Sequence, residues 1–114
     1  MKTLFKLYLS LVHWSLVRKT PIKVVLNKEY GGFSLSKDAW DLLQEQGYDC
    51  HDLDIPRHDP LLVKVVEELG EYANGEHSQL EIGLCWSRLG YKISEYDGCE
   101  GVTHKSIYEY LNAA

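Results

Sequence analysis

The chain has 114 residues, 45% of them hydrophobic and 11% aromatic, enough for one domain with a buried core and too apolar for a disordered chain. Its formal charge of −5 divides unevenly: residues 1–21 hold Lys2, Lys6, Arg18 and Lys19 and no acid, whereas residues 22–114 carry a balance of −9. Such an acidic body lacks the clustered positive charge that grips a phosphate backbone, so no direct nucleic-acid partner is expected.

Residues 1–21 read as a basic, apolar extension. Leu7 to Val17 (LYLSLVHWSLV) is an apolar-leaning run, too short for a membrane span of about 20 apolar residues. Arg18-Lys19-Thr20-Pro21 follows it in place of a small-residue cleavage site. As a helix, it would align Leu4, Leu7, Tyr8, Leu11 and either Trp14 or Ser15 on one stripe. Three readings stand: a helix packed on the domain or on a neighbouring copy, a membrane-surface or targeting segment, or a stretch without a role in the fold. Pro21 closes the segment, because the residue before a proline avoids the helical region, and one α+β domain is expected over 22–114.

Ile22 to Asn27 (IKVVLN) is a β-branched run between Pro21 and Tyr30-Gly31-Gly32 and predicts a buried strand. Ser36 is placed to cap a helix over 37–46, with Asp38 in its first turn and Gly47 beyond its end. Leu35, Ala39, Leu42 and Leu43 would face inward, with Trp40 at the margin. Tyr48 to Ile55 alternates weakly and suits an edge strand or an extended connection. Asp59-Pro60 then opens a second helix, with Asp59 as cap and Pro60 at the first helical position, and Leu61, Leu62, Val65, Val66 and Leu69 form its apolar stripe. Gly70 or Gly75 ends it.

Gln79 to Trp86 (QLEIGLCW) alternates Leu80, Ile82, Leu84 and Trp86 against Gln79, Glu81, Gly83 and Cys85, the pattern of a strand buried on one face. Tyr91–Tyr96 and Cys99–His104 flank Asp97-Gly98, the strongest two-residue hairpin signal. Ser106 to Asn112 reads as a final helical turn or a frayed end. The expected fold is α+β: a mostly antiparallel sheet of about four strands with two helices on one face, plus an N-terminal helix.

Several stretches carry potential chemistry. Tyr30, Gly31, Gly32, Ser34 and Ser36 lie where a glycine turn feeds a helix N-terminus, which lets backbone N–H groups approach an anionic ligand. Neither G-x-G-x-x-G nor G-K-[ST] is present, so a plain tight turn is the competing reading, and Ser36 already serves as a cap. Cys50, His51, Asp52, Asp54 and His58 gather metal-ligand types without zinc spacing, and no metal is expected. Cys99 and His104, five apart, would sit on opposite faces of a strand and form a thiol–imidazole pair only across a bulge at Gly101. No cofactor is expected. The cysteines, Cys50, Cys85 and Cys99, are odd in number and widely spaced, which fits reduced thiols and a cytoplasmic setting. Eight tyrosines and three tryptophans exceed what the core needs; Tyr8, Trp14, Trp86 and Tyr96 are candidates for a protein interface or a homo-oligomer contact.

Lys23-Val-Val-Leu-Asn27, Tyr30-Gly-Gly-Phe-Ser-Leu-Ser36, Arg57-His-Asp-Pro60, Val65-Val66-Glu67-Glu68-Leu69-Gly70 and Glu95-Tyr96-Asp97-Gly98 resemble motifs of a family of small proteins encoded by bacteriophages, prophages and some large viruses. The likeness covers residues 22–104, departs from the pattern at Leu84–Leu89 and leaves 1–21 outside. That family has no assigned activity, so the resemblance implies a setting rather than a catalytic residue. The resulting expectation is a small non-enzymatic accessory protein that binds or inhibits a host or defence component, its acidic face suited to basic grooves. The alternative is a nucleotide-like anion binder, or a minor enzyme, built on Gly31-Gly32.

Overall fold

The computed structural model describes residues 17–48 and 55–105. The elements run β1 (Val17–Asn27), α1 (Lys37–Glu45), α2 (Pro60–Leu69) with a 3₁₀ turn at Gly70–Ala73, β2 (Leu80–Ser87), β3 (Tyr91–Tyr96) and β4 (Cys99–His104). The α+β class follows from this order. The expected N-terminal helix, the segment 49–54 and the tail after Lys105 lie outside the described residues.

The four strands are antiparallel, as expected, but they form two separate two-stranded ribbons, β1–β2 and β3–β4, rather than one sheet. The hydrophobic pattern explains the split. Val24, Val25, Leu26 and Asn27 are all buried, and a strand buried at every position has neighbours on both faces. Val25 belongs to the core shared with the helices. Leu26 points to the opposite face, where a Cβ built on Gly83 would meet both Leu26 Cδ1 and Val102 Cγ1 of β4. The β1–β2 ribbon is therefore the middle layer, with helices on one side and the β3–β4 hairpin on the other.

β2 shows the same arrangement. Leu80 is buried and Ile82 packs on the helical core, as the alternation predicts. Beyond Gly83 the buried face changes: Cys85 and Ser87 are enclosed, while Leu84 and Trp86 stay 44% and 42% exposed. The apolar stripe expected on β2 outruns the helix layer, so among the described residues its second half is only partly covered.

Among the described residues β1 spans Val17–Asn27, so the strand takes in residues 17–21 as well as the expected Ile22 to Asn27. Pro21 offers no N–H to a ladder, and the register breaks beside it. Val17 opposes Ser87 and Ile22 opposes Cys85, leaving Arg18 to Pro21 as a bulge opposite Trp86.

The helices begin where their caps predict. Ser36 Oγ accepts from Ala39 N–H at 3.1 Å, and Asp59 Oδ1 accepts from Leu61 N–H at 2.8 Å with Pro60 in the first turn. Ala39 and Leu43 of α1 meet Leu62, Val65 and Val66 of α2 in the core. Val63 is also buried, whereas Leu61 and Leu69 are only partly so, which turns the packed face of α2 slightly from the expected stripe. Asp97 (φ 50°) and Gly98 (φ 93°) both lie in the left-handed region, the conformation of a type I′ turn, and pair Tyr96 with Cys99.

Candidate functional site

The Tyr30-Gly31-Gly32 turn, the first candidate for a ligand cradle, packs against another turn of the chain. Gly31 N–H donates to Asp97 O at 3.2 Å, and the hairpin tip packs against the loop so closely that a Cβ on Gly98 would lie 2.6 Å from the nitrogens of both Gly31 and Gly32. The glycines allow two turns to meet backbone to backbone. Ser34 Oγ donates to Glu76 O at 3.0 Å, and Ser36 Oγ donates to Tyr72 O at 2.6 Å while capping α1. The hydroxyls thus hold the 3₁₀ turn and the segment after it against the glycine loop. Tyr30 itself is 62% exposed.

Next to this junction lies a polar lock that the sequence does not mark as a unit. Glu100 of β4 receives Arg57 in a two-pronged pair, Nη1 to Oε1 at 2.5 Å and Nη2 to Oε2 at 2.9 Å. Its Oε1 also accepts Asn27 N–H at 2.8 Å. The Asn27 amide donates to Glu29 O and Gly98 O and accepts from Glu29 N–H and Gln79 N–H, which meets its whole bonding capacity. Arg57 further donates to Val25 O and lies 3.6 Å over the Phe33 ring. Burial opposes the Glu100 charge, but the Arg57 and Asn27 hydrogen bonds and the Arg57 and Lys28 charges outweigh it and hold the carboxyl below its ordinary pKa. Arg57 and Glu100 are 43 residues apart, so only the folded topology brings them together.

His58 Nδ1 lies 2.7 Å from Tyr91 Oη, with the rings edge to face. Burial pushes the Tyr91 phenol pKa up against the Arg57 charge and a hydrogen bond from the His58 backbone. Cys99 and His104 stand at the two ends of β4, opposite Tyr96 and Tyr91 respectively, and do not form a pair. Cys99 Sγ is 3.6 Å from Lys28 O, and Cys85 is buried. Among the described residues no cluster of His, Cys, Asp and Glu is placed to hold a metal ion. Cys50, His51, Asp52 and Asp54 lie outside them.

Of the aromatic candidates, Tyr8 and Trp14 lie outside the described residues, and Tyr96 is 73% exposed at the hairpin tip. Trp86 has the more distinctive surroundings. It faces the β1 bulge, where Arg18, Lys19 and Thr20, together with Arg88 from the β2–β3 turn, line a recess of about 420 Å³. Arg18 also borders an open cleft of about 720 Å³ between β1 and α2, with Lys23, His58, Val63 and Lys64 among its walls. The opposite-charge partners Glu67 and Glu68 answer Lys23 and Lys64. Among the described residues no helix is long and apolar enough to cross a membrane. Comparison of the chain with protein-family models, with curated proteins and with solved structures yields no match.

Proposed function

We propose that the protein is a small non-enzymatic accessory protein, of viral or prophage setting by its motifs, that binds a protein component of the host or of its defences. One observation carries the binding reading: Leu84 and Trp86, two large apolar side chains on one face of a paired strand, remain about two-fifths exposed where the helix layer ends. A ribbon holds them in place before any contact forms, so little ordering entropy opposes their burial by a partner. The groups that offered catalysis or anion binding support the same reading from the other side. Gly31 binds the hairpin tip, and Ser34 and Ser36 bond to main-chain carbonyls.

The test is capture from host-cell lysate with wild-type protein and with Leu84→Ser/Trp86→Ser. A partner retained by the wild type and lost from the variant, at unchanged melting temperature, supports the reading. Equal recovery by both, or no specific recovery at several salt concentrations, contradicts it. A thermal-shift screen with nucleotides addresses the anion-binding alternative, and a shift abolished by Gly32→Val would favour it.

A further inference from the structure

We propose that the corner made by the β1 bulge and the β2–β3 turn receives an acidic segment of a partner protein with apolar anchor residues, an inference that rests on the binding role proposed above. Three cations meet there from two parts of the chain: Arg18 and Lys19 on the bulge and Arg88 on the turn. Among the described residues none of the three has a carboxylate within ion-pair distance; Arg18 bonds only to Thr20 O, at 3.0 Å. The charges of the corner are thus not answered within the described part of a chain of net charge −5. β1 is also the one element of those described that carries no acid.

Trp86 lies opposite the bulge and Leu84 opposite Lys23, so exposed apolar surface adjoins the unpaired charge. A segment that sets carboxylates on Arg18, Lys19 and Arg88 and apolar side chains on Leu84 and Trp86 satisfies both at once. Carboxylates form two-pronged pairs with guanidinium groups, and partial removal of water by the neighbouring apolar contacts strengthens them. A nucleic-acid strand fits less well. Its regularly spaced phosphates would run past Glu67 and Glu68 in the adjoining cleft, where a peptide can place uncharged side chains.

The experiment titrates the full chain against a short fluorescein-labelled peptide in which Asp and Glu alternate with Leu and Phe, read by anisotropy. Beside it run the same peptide with Asn and Gln for the acids, an all-Glu peptide and a single-stranded oligothymidine. The acidic-apolar peptide should bind, weaken with salt, and lose roughly tenfold or more in affinity to Arg18→Glu/Lys19→Glu/Arg88→Glu. The milder Arg18→Gln/Arg88→Gln should fall between, and both variants should melt with the wild type because these side chains lie at the surface. No binding, binding unaffected by the triple reversal, or equal binding of the all-Glu peptide or the oligothymidine overturns the proposal. Lysate capture separates the two readings: a partner lost with Leu84→Ser/Trp86→Ser but kept by the triple reversal overturns the acidic segment and leaves the binding role standing.

Discussion

Replacing Glu100 by alanine should be among the most damaging single changes to the described fold. The carboxylate is 9% exposed and Arg57 19% exposed, and deletion removes both prongs of their pair together with the acceptor of Asn27 N–H. An unsatisfied buried N–H costs about 1–3 kcal/mol. Stranding one member of a buried ion pair costs about 3–5 kcal/mol, which the partial exposure of Arg57 and its stacking on Phe33 place at the lower end. Both losses come from one carboxylate and are coupled rather than additive, so a loss of about 3–4 kcal/mol follows, or roughly 12–25 °C in melting temperature for a domain of this size. Glu100→Gln keeps an oxygen for Asn27 N–H and should lose about half as much. The lowered pKa of Glu100 adds a pH signature. A carboxyl whose folded pKa is depressed contributes stability that is fully present above its ordinary value of 4.5 and is lost as the pH falls through the folded value. Urea denaturation of the wild type, Glu100→Ala and Glu100→Gln at pH 7 and at successive acidic values measures both effects. A Glu100→Ala loss below about 1 kcal/mol at pH 7, or a gap to the wild type that does not narrow with acid, would refute the lock.

The glycine junction predicts an order of effects: Gly98→Ala combines a left-handed φ with a 2.6 Å approach to two backbone nitrogens, whereas a Cβ on Gly32 meets nothing within 4 Å. Gly32→Ala should therefore cost about 1–2 kcal/mol by strain alone and Gly98→Ala clearly more; the reverse order in thermal melts would show that the hairpin tip does not seat on the loop. Ser36→Ala removes both the α1 cap and the bond to Tyr72 O and should cost about 1–2 kcal/mol by chemical denaturation, while a change within a few tenths would show that neither bond matters in solution. Because the folded pKa of Tyr91 is raised above 10.0, its contribution is intact below that value and lost as the pH rises through the folded one. Tyr91→Phe should lose less stability than the wild type between neutral and strongly alkaline pH, and parallel alkaline curves would show that folding does not raise the phenol's pKa.

Local signals were legible and long-range ones were not. Asp59-Pro60 and Ser36 mark the helix starts, and Asp97-Gly98 marks the hairpin, because each signal acts within a few residues. The alternation of β2 holds up to Ile82. It then misassigns Leu84 and Trp86, since which face of a strand is covered depends on what packs there, and the hairpin covers the Cys85 side. The Gly31-Gly32 turn is a correct reading of flexible backbone, but the close neighbour that requires it is Gly98, far along the chain. The lock of Asn27, Arg57 and Glu100 left no local trace for the same reason. Pro21, a helix stop in isolation, is carried within β1 by a bulge, and that bulge gathers the cations next to Trp86. Charge arithmetic grouped Arg18 and Lys19 with the extension; the fold groups them with Arg88.

Hydrogen–deuterium exchange on the protein with and without the partner recovered from lysate tests the binding surface most directly. The account predicts slowed exchange over residues 17–20 and 84–89, with no change at Tyr30–Gly32 or at the Asp97-Gly98 tip. Protection centred on the glycine junction, with the Arg18, Trp86 and Arg88 corner unaffected, would contradict it.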